Sequence, residues 1–218
     1  MSMFRNLLMA SGKKPRLPSE YQEVEYIQTS GSQRINTGYR HKSNTIYDIN
    51  FQIVRYNARY NTILGGRKTW NSSDAYAFGF ENSYYFYTNS GQANATLIYQ
   101  GTTGVDYHVI VRKDDIYIND QQYIYTNYNQ GDGTPTRPSN LSDGLYDVYL
   151  FALNQKNSAI EPCRIKLYSL KVYEGDTLKM EFVPCYRKSD SVIGLYDLVA
   201  NTFFTNAGSG TFTAGPEV

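Results

Sequence analysis

The sequence predicts an all-β protein, a sandwich or jelly roll of antiparallel strands, and three observations lead to this prediction. Short runs of residues alternate between apolar and polar side chains, as strands with one buried face do. Turn-forming residues separate these runs, and no stretch has the sustained periodicity and caps of a helix. Many short strands divided by turns are typical of sandwiches and jelly rolls.

The clearest strand patterns lie before residue 127. Residues 47–53 (YDINFQI) alternate strictly, which predicts a half-buried strand. Residues 107–126 repeat the pattern three times, with polar breaks at residues 113–115 and 119–120. Tight turns are expected at these breaks, so this region predicts a three-stranded antiparallel meander.

The second half of the chain predicts three longer strands and a loop. The strands are expected at residues 146–154, 163–174 and 177–185, and residues 174–176 (EGD) form the hairpin turn between the last two. Residues 127–143 contain several glycines and prolines and predict one long loop, a feature that is often functional or mobile.

Length and composition place limits on function. A chain of 218 residues can form one all-β domain with its own core. Its formal net charge of +1 gives no reason to expect binding to nucleic acid or an anionic membrane. No apolar run approaches the ~18 residues of a transmembrane helix. The 22 tyrosines favour a tyrosine-rich sheet surface, and a binding face of stacked rings is the alternative.

The two cysteines, Cys163 and Cys185, match no zinc or redox spacing. A disulfide between neighbouring strands is one alternative. Two reduced, partly buried thiols are the favoured prediction, because a core of this size needs no bridge.

Residues 1–16 form a basic segment with a short apolar patch, which is too short for the apolar region of a secretory signal. We expect a non-cleaved arm that docks on a neighbouring subunit, followed by the sandwich over residues 17–218. An arm folded back on its own domain is the alternative. The side chains expected to dock are Met3, Phe4, Arg5, Leu7, Leu8 and Met9.

Three segments carry a family resemblance. The opening, residues 17–39 with LPSEY and EYIQTSGSQRINTG, resembles the opening of a large group of phage and prophage virion proteins. Residues 107–120 (YHVIVRKDDIYIND) are similar to the central hairpin of laminin-G-like domains, although Asp120 stands where glycine is usual. Residues 181–216, with FVPC, GLYDLV and FTNAG, resemble the closing segment of the same phage group.

The resemblance, which spans residues 17–218, implies a two-sheet antiparallel jelly roll of the concanavalin-A-like, laminin-G-like type. Together with the N-terminal arm and the absence of a catalytic set, it favours a non-enzymatic structural or decoration protein on the phage particle surface, docked on other virion proteins in an oligomeric assembly. The wider superfamily includes lectins, glycosidases and adhesion modules, so the fold does not settle the function. A carbohydrate-binding adhesin of a phage tail or an extracellular bacterial surface is the alternative.

Glycine positions suggest how the domain closes. Gly31 and Gly38 flank a short strand and are expected to adopt positive φ values. The closing strand, residues 211–213, is expected to pair near the opening strand and bring the two ends of the domain together.

The sequence offers no set of catalytic residues, so we expect no enzyme, and a glycoside hydrolase is the least favoured alternative. Glycosidases need a close carboxylate pair, whereas Glu23 and Glu25 are expected to be an edge-strand charge pair. His41 is expected in a polar loop, and the resemblance to laminin-G-like domains implies a packing role for His108. Neither a nucleophile elbow nor a phosphate-binding loop is present.

Sugar binding needs only an aromatic platform and a few polar side chains. The lone tryptophan lies beside a polar turn, and tyrosines follow on a nearby strand. The favoured interpretation is that this tryptophan plugs the sandwich or packs an interface; the alternative is a surface that binds polysaccharide. The candidate residues are Trp70, Asn71, Asp74, Tyr76 and Tyr85.

No metal or cofactor is expected. Ca²⁺ held by loop oxygens around Asp132 or Asp143 is retained as an alternative, although such loops are usually only solvated.

Overall fold

The computed structural model describes residues 16–56, 59–81, 85–91, 93–124 and 140–218. Among these residues there is no helix, and therefore none long and apolar enough to cross a membrane. The strands in chain order are β1 (Tyr21–Glu23), β2 (Ile27–Gln28), β3 (Ile35–Asn36), β4 (Thr45–Arg55), β5 (Tyr60–Arg67), β6 (Tyr76–Glu81), β7 (Tyr85–Ser90), β8 (Ala93–Gln100), β9 (Asp106–Val111), β10 (Asp115–Ile118), β11 (Gln121–Ile124), β12 (Tyr149–Leu150), β13 (Leu153–Gln155), β14 (Ser158–Ile160), β15 (Arg164–Glu174), β16 (Thr177–Arg187), β17 (Val192–Asp197), β18 (Thr202–Thr205) and β19 (Thr213–Ala214).

The strands form two sheets that sandwich the core. The larger sheet has the order β11-β10-β9-β4-β15-β16-β17-β18, with β1 beside β16 and β2 between β15 and β19. The smaller sheet has the order β14-β13-β5-β6-β7-β8, and β12 joins β5 to β3. Neighbouring strands in the described part are antiparallel, apart from the pair β13 and β5. The predicted two-sheet antiparallel sandwich is confirmed.

Strand β4 illustrates why these residues form a sheet. Tyr47, Ile49, Phe51 and Ile53 are buried, and the side chains between them are only partly buried. This period of two places one apolar face of β4 on the core and leaves a polar face outside.

Aromatic rings join the two sheets across the core. Phe51 of the larger sheet meets Phe78 of the smaller sheet with ring centroids 6.1 Å apart, and Phe86 meets Tyr107 at 5.2 Å. Burying a phenylalanine side chain of this kind contributes about 1.5–3 kcal/mol relative to leaving it exposed. These contacts fix how one sheet lies on the other.

Most of the predicted strands are confirmed. Strands β9, β10 and β11 form the predicted meander, and β15 and β16 form the predicted hairpin. The single strand expected at residues 146–154 is wrong, because it is two short strands, β12 and β13. Phe151 separates them with φ of 69°, and its N–H donates to the Ile63 carbonyl at 2.7 Å. Residues 127–139 of the predicted loop lie outside the described residues.

The two ends of the domain meet as predicted. Thr213 of β19 pairs with Gln28 of β2, and Val24 forms an isolated bridge with Glu217. This places the closing segment of the sandwich beside its opening segment.

Two local predictions near the opening strands have different outcomes. Gly31 and Gly38 have φ values of 97° and 66°, which confirms their expected conformation. Strand β1 ends at Glu23, so Glu25 lies outside the strand that the two were expected to share. The predicted edge-strand charge pair is therefore wrong.

A second apolar cluster lies on the outer face of the larger sheet. Phe182 points into the main core, so the next residue, Val183, points outward, where it packs with Leu17, Cys185 and Tyr196. We call the four residues Leu17, Val183, Cys185 and Tyr196 the outer cluster.

The two cysteines lie on opposite sides of the larger sheet. Cys163 belongs to the main core and Cys185 to the outer cluster; both thiols are free, as predicted, but both are fully rather than partly buried. Burial raises the pKa of the Cys185 thiol to about 12, so this thiol is protonated at neutral pH.

Candidate functional site

A groove of about 460 Å³ lies on the outer face of the larger sheet. Strands β4, β9, β15 and β16 form its floor, and the start of the described chain contributes to its wall. Most of the side chains that line it are polar or charged; they include Arg16, Asp48, Asn50, His108, Tyr168, Ser169, Lys171 and Glu181.

One row of polar side chains crosses three strands of the floor. In this row, His108 lies opposite Asn50, and Asn50 lies opposite Ser169. Asn50 Nδ2 donates to Ser169 Oγ at 2.9 Å. Because paired residues on neighbouring strands are about 5 Å apart, the row presents a polar group at every strand.

A second row carries the charges of the floor. In it, Asp48 and Glu181 lie on either side of Lys171. Lys171 Nζ lies 3.7 Å from Glu181 Oε1, and Asp48 Oδ1 lies 2.9 Å from His108 Nε2 of the first row. Since the side chains of both rows stand on strands rather than loops, the groove is preorganised.

A β-bulge brings an aromatic ring to the groove. The pairing of β15 with β4 shifts between Leu167 and Ser169, which leaves Tyr168 as the extra residue. A bulge of this kind redirects a side chain. The Tyr168 hydroxyl donates to Asp106 Oδ1 at 3.0 Å, and its ring meets Tyr26 edge-on at 5.7 Å between centroids. Partial burial, followed by this hydrogen bond, raises the pKa of Tyr168, so the phenol is neutral.

The N-terminal segment supplies one wall of the groove. Leu17 anchors this segment in the outer cluster, and Arg16 beside it lines the groove. The Arg16 guanidinium pairs with the Glu23 carboxylate. Leu17 thereby fixes where Arg16 stands relative to the floor.

The tryptophan of the predicted sugar site lies elsewhere, on the turn between β5 and β6. Trp70 is 60% exposed, so it does not plug the sandwich, which corrects the favoured interpretation on that point. Hydrogen bonds make the turn rigid: Lys68 N–H donates to Asp74 Oδ2 at 3.0 Å, and Asn89 Nδ2 donates to the Trp70 carbonyl at 3.0 Å. Asn71 is exposed beside Trp70. The turn holds a large aromatic ring in solvent.

The structure does not place the other predicted sugar-binding residues on that surface. Asp74 is only 4% exposed, and its carboxylate closes the turn. Tyr76 is 1% exposed and packs between His41 and Tyr47, because the alternation of β6 turns it into the core. These two residues are therefore corrected to structural roles. Tyr85 begins β7, but its side chain lies outside the described residues.

The two histidines differ from expectation in their burial. His41 lies in the connection between β3 and β4, as expected of a loop residue, but it is fully buried, and desolvation lowers its pKa to about 4. His108, for which the resemblance implied a packing role, has a side chain that is 38% exposed and faces the groove. Alternation in β9 explains the difference, because Tyr107 and Val109 take the inward positions.

Several predicted residues are not placed. The six residues of the expected docking arm, and also Asp132, lie outside the described residues; the six are Met3, Phe4, Arg5, Leu7, Leu8 and Met9. Asp143 is described; it is exposed and pairs with Lys42 Nζ at 3.1 Å. Across the described ranges, no group of three or more His, Cys, Asp or Glu side chains could hold a metal ion. The calcium alternative stays a prediction.

Sequence reasoning missed the groove, although part of its signal was visible. The polar positions of residues 47–53 include Asp48 and Asn50, and these positions must face outward if the apolar ones face inward. Their partners on β15 and β16 depend on strand order, and the position of Tyr168 depends on a bulge. Neither feature can be read from a single strand.

Comparison with known proteins shows the fold. No protein-family model and no curated protein matches the chain. A proposed carbohydrate-binding protein from Bacteroides ovatus is similar in structure, with a TM-score of 0.56 and 14% identity over 90% of this chain. The match covers 62% of that protein, so this chain spans less than two thirds of its length.

Two further solved structures are more distant. The CBM40 of the Ruminococcus gnavus IT-sialidase has a TM-score of 0.49 and 14% identity, over 73% of this chain and 93% of that one. A mutant Trypanosoma rangeli sialidase with trans-sialidase activity has a TM-score of 0.43 and 12% identity, over 60% of this chain and 20% of that one. The similarity to the Bacteroides ovatus protein, at 14% identity, shows the fold alone, a β-sandwich of two mainly antiparallel sheets.

Proposed function

We propose that the protein is a non-catalytic carbohydrate-binding domain and that the groove on the larger sheet is its binding site. One observation carries this proposal: polar side chains from four neighbouring strands converge in a preformed groove beside the partly exposed ring of Tyr168. Ligand sites are typically concave, with a few precisely placed polar groups.

The chemistry of the groove suits a saccharide. Sugar hydroxyls both donate and accept hydrogen bonds, and the groove offers the amide of Asn50, the hydroxyl of Ser169 and the ring nitrogen of His108. Tyr168 adds an aromatic ring with an apolar body and a polar tip, on which a sugar ring can pack. Strand-borne side chains lose little conformational entropy on binding, which favours affinity for a weakly hydrophobic ligand.

The same groove gives no support to hydrolysis. Its two carboxylates, Asp48 and Glu181, stand on strands that are separated by β15, and Lys171 lies between them. A glycosidase needs an acid and a second carboxylate that face each other across the scissile bond. Asp48 and Glu181 are instead each paired with a basic side chain. We therefore propose binding without catalysis.

The structural relative from Bacteroides ovatus supports this proposal to the extent that a proposed carbohydrate-binding protein uses the same fold. The virion setting rests on the sequence resemblance, and the docking arm with its oligomeric assembly rests on the residue pattern of residues 1–16; all three stay predictions. The sugar-binding role of Trp70 and Asn71 also stays a prediction, at a position separate from the groove, and so does an interface packed by Trp70.

A glycan array followed by calorimetry tests the proposal. We expect wild-type protein to bind a subset of glycans, and Asn50→Ala to weaken binding about tenfold, the loss expected for a hydrogen bond worth about 1–1.5 kcal/mol. Gln122→Ala is the matched control, because Gln122 Nε2 makes a similar side-chain bond to Asp115 Oδ2 at 2.7 Å on the exposed face of β11. An array without binders, or equal loss in both variants, contradicts the proposal.

A further inference from the structure

We propose that the groove selects acidic saccharides, those that carry a carboxylate or sulfate, through Lys171 and Arg16. This inference rests on the proposed function and deepens it. The two cations come from different parts of the chain, the middle of β15 and the N-terminal segment, yet both line the groove.

The basic groups stand further out than their acidic partners. The side chains of Arg16 and Lys171 are 54% and 41% exposed, whereas those of their partners Glu23 and Glu181 are 20% and 24% exposed. In the pair of His108 with Asp48 the basic side chain is again the more exposed one, at 38% against 29% for the carboxylate. A ligand that enters from solvent therefore meets the basic ends of these pairs first, although the formal charges within each lysine or arginine pair cancel.

The existing ion pairs do not prevent this use of the cations. Lys171 Nζ and Glu181 Oε1 are 3.7 Å apart in a solvent-exposed pair, and pairs of this kind contribute little stability. Lys171 can therefore turn toward a ligand anion at low cost. Arg16 has five N–H donors, so its bond to Glu23 leaves others for a second acceptor.

Position makes the two cations selective. Leu17 in the outer cluster anchors Arg16 at the wall, and the register of β15 holds Lys171 between Asp48 and Glu181 on the floor. An anion in the groove is contacted by Arg16 from the wall and by Lys171 from the floor. The neutral sugar ring beside the anion then contacts the first row of polar side chains. The two carboxylates below also repel an anion that binds too deeply, which favours one depth of binding.

The test uses a glycan array in which each uronate- or sulfate-bearing glycan is printed beside its neutral counterpart. We expect the acidic member of a pair to bind and the neutral member to bind at least tenfold more weakly. In calorimetry with the best uronate and the best sulfated glycan, Lys171→Gln and Arg16→Gln should each weaken binding about tenfold or more, as loss of one charged hydrogen bond does. Comparing the uronate with the sulfated glycan shows whether the groove binds a carboxylate, a sulfate or both.

Lys179→Gln is the matched control. Lys179 Nζ lies 3.7 Å from Glu174 Oε2 with 43% side-chain exposure, nearly the same setting as Lys171, but it does not line the groove. Lys179→Gln should bind acidic glycans like wild type. Equal binding of acidic and neutral members, or equal effects of Lys171→Gln and Lys179→Gln, overturns the selectivity and leaves carbohydrate binding standing. An array with no binder overturns both.

Discussion

Burial keeps the His41 ring in its neutral form. The ring is buried against Tyr76, with centroids 5.1 Å apart, and Nε2 lies 3.2 Å from the Ser142 carbonyl. Nδ1 finds no hydrogen-bond partner among the described residues. Desolvation disfavours the imidazolium form, which is why the pKa falls to about 4.

This lowered pKa predicts acid sensitivity. The folded pKa of about 4 lies below the ordinary value of 6.5. Between these two pH values the unfolded chain therefore binds a proton at His41 that the folded chain does not bind. Stability should therefore be intact above pH 6.5 and fall between pH 6.5 and 4, by at most about 3 kcal/mol from this residue. Urea unfolding across this range measures the slope.

His41→Gln separates this effect from that of the carboxylates. The substitution costs stability at every pH, but the loss of stability between pH 6.5 and 4 should shrink, because the titrating group is gone. Carboxylates that do not interact with His41 contribute equally to both proteins and cancel in the difference, whereas Asp74 and Asp143, which interact with its charge, cancel only in part. Identical pH slopes for wild type and His41→Gln would show that His41 is not the buried titrating group.

At the scale of the strand, bulges position side chains in both sheets. In β15 the bulge brings Tyr168 to the groove, and in β5 a register shift between Thr62 and Leu64 changes the approach of β5 to β6. Opposite this second shift lies Gly79, where an added Cβ would meet the Asn61 carbonyl oxygen at 2.2 Å. Any larger side chain at this position would clash with the backbone of β5. The close approach of β5 to β6 therefore requires a glycine here.

Gly79→Ala should therefore destabilise the protein by about 1–3 kcal/mol or more, the range for overpacking a tight site. The measurement is the urea midpoint at constant m-value. Gly38→Ala is a useful comparison, since a Cβ there meets nothing within 4 Å and only the φ of 66° is unfavourable. A Gly79→Ala protein that is as stable as wild type would mean that β5 and β6 move apart freely.

At the scale of the whole molecule, the sequence predicted the sandwich because its signals are local. The alternation around Ile49 and the turn at Gly175 identify strands and connections without any knowledge of their partners. The site is non-local in part: Lys171 and Glu181 face each other across the β15–β16 hairpin, whereas Asp48 is far from both in sequence and meets them only through strand order.

The separate surface around the tryptophan shows the same division between local and non-local signals. Trp70 was found because a lone tryptophan in a polar turn is unusual, and the structure does hold its ring in solvent. Nearness in sequence wrongly joined Tyr76 to it, because the alternation of β6 turns that side chain into the core. Composition alone can single out an unusual residue such as Trp70. Which side chains lie near it in space depends on the face to which each residue of the following strand points.

Closure of the domain is the last non-local feature, and it was predicted from the closing strand expected at residues 211–213. Phe212 lies in the connection between β18, which ends at Thr205, and β19, which begins at Thr213. It is a core residue, 3% exposed, with its ring centroid 5.3 Å from that of Phe151. Pairing of β19 with β2 then carries the chain along an opening strand. The closing segment is thus part of the core of the whole sandwich.

Phe212→Ala should therefore destabilise the entire domain by about 3 kcal/mol or more, as loss of a buried phenylalanine does. The expected result is one cooperative urea transition at a lower midpoint, because the ring contacts Phe151 in the main core and does not belong to a separate terminal unit. Val199→Ala is the control: Val199 is 43% exposed, and its loss should change stability by no more than about 0.5 kcal/mol. If Phe212→Ala is as stable as Val199→Ala, the closing segment does not hold the sandwich together and only lies on its surface.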